Sequence, residues 1–358
     1  MRIEKRILFK QDEELSDYLF VSATFRLDDL RPHLEMVQTE VIEPLIGSDQ
    51  LNELLTKYHA NEQQLSDLEK QTIHALRYPL ANYAFQRFIP RLQLDISTAG
   101  IRINVNENYK TAFQWQIEDL EFATDYESGT TYEQALEYLN KNKSDLPLYR
   151  NGYAYERNHR YFLNSAKEYD AYHNIRGFRR IYLHMLSIME SVEDIDIAAI
   201  LGSKLYTDIK HYVLTGLTNS PVSGDDVVVV SDDSSYELEA NKHYKVMLKY
   251  IRYIVANLTF HRAVNQLNLV YDSRGFLQYQ TNNTQSVNAW KPADKVTVSN
   301  NAEAAKILAD KYIDILKKYL IENANEIPLY VLPVKPVGYG RVEQNADNGF
   351  FIALGTHN

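Results

Sequence analysis

The sequence predicts a mainly α protein with short β-hairpins, an α+β chain of two tandem, diverged repeats of a helix–hairpin–helix unit. Three observations carry this. First, Ile73–Gly100 overlays Leu248–Gly275 at a constant spacing of 175 without a gap. Identities fall at Arg77/Arg252, Tyr78/Tyr253, Ala81/Ala256, Asn82/Asn257, Phe85/Phe260, Arg87/Arg262, Leu92/Leu267, Leu94/Leu269 and Gly100/Gly275. Second, the flanks recur in the same order: Ile42–Tyr58 resembles Ile197–Val213, and Leu146-Pro147-Leu148-Tyr149 matches Ile327-Pro328-Leu329-Tyr330. Third, period-2 alternation stands on both sides of a glycine turn, which is a hairpin signal.

The elements follow in order. An amphipathic helix over about 27–45, and again over about 178–201, stops at Gly47 or Gly202, and Ser48 or Ser203 then offers an N-cap for a short helix. A longer helix covers about 66–88 and about 244–264. After it, Leu92, Leu94 and Ile96 lead through Gly100 to Ile101, Ile103 and Val105. The second copy reads Leu267, Leu269 and Tyr271, then Gly275 and Phe276. Closing helices are expected over 109–124 with 131–141, and over 301–323. Gly47, Gly202, Arg77, Arg252, Asn82, Asn257, Gly100 and Gly275 therefore read as structural positions of the repeat, the Arg and Asn hydrogen-bonding the hairpin or adjacent helix ends.

What does not repeat divides the chain further. Residues 1–149 form unit one, 150–177 a basic Tyr/Arg-rich junction, 178–331 unit two, and 332–358 an extended arm. A polar insertion, Thr215–Ser235, carries the β-prone run Val227–Val230 guarded by Asp on both sides. The arm is broken by Pro and Gly but ends in Phe350, Phe351, Ile352, Ala353 and Leu354. Such an apolar tip either docks back on its own chain or reaches a neighbouring subunit as an oligomer arm.

Composition narrows function by exclusion. A net charge of -10 argues against a protein that coats nucleic acid. The absence of cysteine removes disulfide scaffolds and Cys-based zinc sites. The charged first 20 residues lack a signal-peptide core, so the chain is expected in the cytoplasm of its host cell or in a virion, with no membrane partner. Phosphate-loop, dinucleotide, nucleophile-elbow and zinc-protease motifs are missing. Asp170 with His173, and Glu239 with His243, differ in spacing and do not occupy equivalent positions of the repeats. No enzyme activity, metal or cofactor is expected.

One segment stands out electrostatically. Arg150–Arg180 carries a net charge of +4 and is dense in Tyr. Its Arg157, Arg160, Arg176, Arg179 and Arg180, with Tyr153 and Tyr155, form the candidate interaction surface, facing either an acidic protein surface or nucleic-acid backbone. Alternatively, its arginines pair with the acidic run Glu190, Glu193, Asp194 and Asp196, or the segment is the interface between the units.

Three pieces in order resemble an uncharacterised family of proteins from Bacteroidetes genomes and their prophages. They are Val41-Ile42-Glu43-Pro44-Leu45-Ile46-Gly47, then Ser97-Thr98-Ala99-Gly100-Ile101 with Ala112, Trp115 and Gln116, and then Phe178-Arg179-Arg180 leading to Ile200-Leu201-Gly202. The resemblance implies a virion role, because members lie among head and packaging genes. The unit is also similar in outline to adaptors that form a ring beneath the phage portal. The expected function is thus a non-enzymatic structural or assembly protein of head–tail connector type, partnered by other virion proteins or by itself as a homo-oligomer, with nucleic acid the less favoured partner. The alternative is a Tyr-rich glycan-binding module of a gut bacterium.

Overall fold

In the computed structural model, residues 6–331 are described, apart from 20, 22–24, 93, 98–99, 104–112, 216–233, 267–276, 281–288, 293–294 and 328. An extended lead, Arg6–Phe9, enters α1 (Asp12–Ser16) and α2 (Leu27–Val37), whose Leu27, Leu30, Leu34 and Val37 fall at helical spacing on the buried face. A π-helical turn, Gln38–Ile42, and α3 (Glu43–Ile46) reach Gly47, and α4 (Ser48–Ala60) leaves it. The capping box of Ser66 and Glu69 starts α5 (Asp67–Phe88). A ribbon, β1 (Leu94–Ser97) with β2 (Gly100–Ile103), precedes α6 (Gln114–Lys141), α7 (Pro147–Arg150) and α8 (Tyr153–Asn158).

The second copy repeats this order. Lead residues Arg160–Leu163 enter α9 (Ala166–Asp170) and α10 (Arg179–Ser191). A π-helical turn, Val192–Ile197, and α11 (Ala198–Leu201) reach Gly202, followed by α12 (Ser203–Thr215) and α13 (Ser234–Gln266). A second ribbon pairs β3 (Leu277–Gln280) with β4 (Ala289–Pro292), and α14 (Lys295–Glu322) closes the unit. Gly47 and Gly202 both take positive φ, 92° and 78°, with ψ near 150°, a conformation that a Cβ disfavours. Each elbow is therefore set by its glycine.

Two corrections follow. The α+β class is wrong: the body is helical, and helices supply most of the residues of both main cores. Among the described residues, extended pairing is confined to two separate ribbons of four residues a strand, which cannot bury a face of their own. In copy two the pairing joins 277–280 to 289–292 instead of flanking Gly275; Leu267, Leu269, Tyr271, Gly275 and Phe276 lie outside the described residues. The run Val227–Val230 and the arm with Phe350, Phe351, Ile352 and Leu354 lie outside them too.

The second correction concerns the junction. Residues 160–170 are not a linker but the counterpart of residues 6–16. Arg77 donates through Nε to the Leu8 carbonyl and pairs with Glu14 at 2.6 Å. Arg252 donates through Nε to the Phe162 carbonyl and pairs with Glu168 at 2.7 Å. Tyr18 meets Tyr78 edge-on with centroids 4.8 Å apart, and Tyr172 meets Tyr253 at 4.9 Å. Unit two thus begins near Arg160, not Phe178.

Other repeated polar groups are structural as well. Asn82 and Asn257 donate to the carbonyls of Tyr78 and Tyr253, one helical turn back. Arg87 and Arg262 bridge the long helices to Glu40 and Asp196 in the π-helical turns. The first core gathers Leu30, Leu34, Leu54, Leu76, Tyr58 and Leu139; the second gathers Met185, Met189, Ile251, Ile254, Leu316 and Leu320. Each such side chain, fully buried, contributes about 1.5–3 kcal/mol.

Candidate functional site

The basic segment is split between a buried seam and an exposed rim. In the seam, α6 of the first unit receives α9 and α10 of the second. Glu133, itself buried, accepts from the Arg179 guanidinium and from the Ala166 N–H at the start of α9. Arg179 lies over the Tyr132 ring, 3.5 Å from its centroid. Burial alone would lower the Arg179 pKa, but Tyr132 and Glu133 beside it outweigh this and hold it above the ordinary value.

Gly129 permits the approach: a Cβ there would sit 3.1 Å from the Arg179 Cβ. Phe178 packs its ring on Phe122 and Tyr126, at 5.5 and 5.3 Å. At the solvent edge Lys167 pairs with Glu137 at 2.6 Å, and Arg180 lies 4.0 Å from Asp125.

The rim borders a cleft of about 370 Å³ between the first elbow and α7–α8. Glu43, Ser48, Asp49, Tyr153 and Arg157 contribute to its lining, and Tyr153 is 76 % exposed. Gly152 turns the chain between α7 and α8; a Cβ there would meet the Leu148 carbonyl oxygen at 2.6 Å. Asn158 ties α8 to the elbow by donating to the Leu45 carbonyl at 2.9 Å.

The structure therefore divides the candidate interaction residues. Tyr153, Arg157, Arg176 and Arg180 lie at or near the surface, Arg176 with a positive φ of 60°. Arg160 is also exposed but pairs with Glu190. Arg179 and Tyr155 are corrected: both are buried, Tyr155 accepting from Lys143 Nζ at 2.8 Å and packing against Tyr149. Glu133, Glu137 and Gly129 are seam residues that composition did not single out. Among the described residues no cluster of three or more His, Cys, Asp or Glu side chains is placed to hold a metal, and no helix is long and apolar enough to cross a membrane.

A protein-family model matches residues 42–159 and 197–336. The chain belongs to DUF6712, a family of unknown function. The two matched stretches open at Ile42 and Ile197, each the last residue of its π-helical turn. The DUF6712 match thus starts at one point of the fold in both copies. No curated protein and no solved structure matches the chain.

Proposed function

We propose that this chain is a non-enzymatic assembly protein of phage or prophage origin, a head–tail connector-type adaptor that works in the host cytoplasm and the virion. Its partners are other virion proteins and further copies of itself. The observation that carries this reading is how the polar groups are used. Those that recur between the copies, Arg77/Arg252, Asn82/Asn257 and Arg87/Arg262, bind backbone or neighbouring helices. Groups that do not recur, Tyr153, Arg157, Arg176 and Arg180, stand at the rim, where contact with a partner needs no rearrangement of either core. Light scattering and negative-stain microscopy of the full chain, with pull-down against phage portal and capsid proteins, test the proposal. Oligomers or portal complexes are expected; a strict monomer that binds neither would overturn it.

The cleft favours a second reading, a glycan-binding module, because an exposed Tyr ring beside Arg157, Glu43 and Asp49 offers a stacking face with polar groups around it. Glycan-array binding lost in Tyr153→Ala would establish it.

A further inference from the structure

Helices α6 and α14 are equivalent, yet among the described residues α9 and α10 cover a face of α6 whose counterpart on α14 is exposed. A spacing of 181 aligns them: Thr124, Ser128, Ala135 and Leu139 fall on Ala305, Ala309, Leu316 and Leu320, all buried in both. On the adjoining face the copies part. Gly129, Tyr132 and Glu133 are buried beneath α9 and α10, whereas Asp310 and Asp314, at the positions of Gly129 and Glu133, are exposed. The counterpart of α9 and α10 that would cover this face is α1 and α2, which belong to the first unit.

We propose that α14 of one chain receives α1 and the start of α2 of a second copy, repeating between chains the seam that α6 makes with α9–α10 within one. The inference rests on the assembly reading above for its purpose and names the self-contact within it.

Charge identifies the occupant. Within the chain Lys167 of α9 pairs with Glu137 of α6. The spacing of 154 that aligns α1 with α9 puts Glu13 at the position of Lys167, and the spacing of 181 puts Lys318 at that of Glu137. Both are exposed, and both signs are reversed, so the pair Glu13–Lys318 is complementary between copies. The reversal also discriminates: α14 with Lys318 would repel Lys167, and α6 with Glu137 would repel Glu13.

Asp314 would meet the N-terminal end of α1 and Arg26, whose side chain is 71 % exposed beside Asp12. The contact joins unlike faces, and repeating it builds a ring or an open filament.

The chain has no cysteine, which makes cross-linking direct. Full-length Glu13→Cys and Lys318→Cys chains, one carrying a size tag, are mixed under mild oxidation and resolved without reductant. The expected result is a covalent heterodimer, and a ladder of multiples from the doubly substituted chain. A yield no greater than for Glu13→Cys with Lys70→Cys overturns the interface. Lys318→Glu is expected to abolish self-association in sedimentation velocity, and adding Glu13→Lys to restore it. Assemblies unchanged by Lys318→Glu would overturn this interface while leaving the assembly reading standing. A ladder without portal binding would uphold the interface and count against the connector reading.

Discussion

Gln38 and Glu193 hold the same place at the start of the two π-helical turns and accept from equivalent backbone groups, the N–H of Leu8 and of Phe162. The amide of Gln38 also donates, to the Arg6 carbonyl at 2.9 Å. A carboxylate cannot do so, and in the second unit Lys210 donates to the Arg160 carbonyl at 2.8 Å and pairs with Glu193. Lys210 stands at the position of the buried Leu55. One amide in the first unit is thus replaced by an acid and a base in the second, two changes that make sense only together.

The double variant Glu193→Gln with Lys210→Leu, which rebuilds the first unit's arrangement, is expected to cost less stability than the two single changes summed. Lys210→Leu alone leaves a buried acid without its base and should cost about 3 kcal/mol at neutral pH. Urea denaturation of the four chains measures the coupling; additive costs would refute the compensation.

Burial pushes the Glu193 carboxyl up to about 7, against the opposing pull of Lys210. Between the ordinary value near 4.5 and about 7 the folded chain holds a proton that the unfolded chain has released. Stability from this group is therefore full below the lower value and falls as pH rises across the window. Glu193→Gln should flatten that part of the stability profile, measured by denaturant midpoints from pH 4 to pH 8. An unchanged slope would assign the dependence elsewhere.

Arg179→Ala strands Glu133 beneath α9 and is expected to lower stability by about 3–5 kcal/mol. Arg179→Met with Glu133→Leu removes both charges and should recover most of the loss. Chemical denaturation distinguishes the outcomes, and equal losses would mean that packing, not charge, holds the seam.

Gly202→Ala has open space around the added carbon, so its cost, about 1–3 kcal/mol, comes from backbone strain alone. Gly47→Ala adds a contact at 3.4 Å with the Ala154 Cβ, which is ordinary packing distance, and should cost about the same. Thermal unfolding compares them; two neutral substitutions would show that the elbows do not depend on glycine.

Tyr153→Ala and Arg157→Ala should each leave stability within about 0.5 kcal/mol, as exposed positions do. Loss of partner binding without loss of folding, read by pull-down and circular dichroism together, is the expected result. Retained binding in both would remove the rim from the proposed contact.

Where side-chain identity carries the repeat, the repeat is legible in the sequence: Arg77/Arg252 and Asn82/Asn257 align without a gap. The lead segments escape notice because Leu8 and Phe162 are related through their carbonyls, each bound by an equivalent arginine, and not through their side chains. The class was misread because alternation around Gly100 signals local pairing, whereas class follows from what fills the cores. Neighbouring Arg179 and Arg180 look alike in sequence. Only the helix start and Gly129 send one inward to Glu133 and leave the other in solvent. The exposed face of α14 is legible only by difference, once α6 shows what a covered counterpart looks like.

The Arg179–Glu133 seam joins two units through a single polypeptide, so its two sides meet at an effective concentration that dilution cannot lower. Any seam between chains loses occupancy as the protein is diluted, while this one persists as long as the fold does. The duplication therefore makes this contact a property of the monomer, and dilution does not separate one unit from the other.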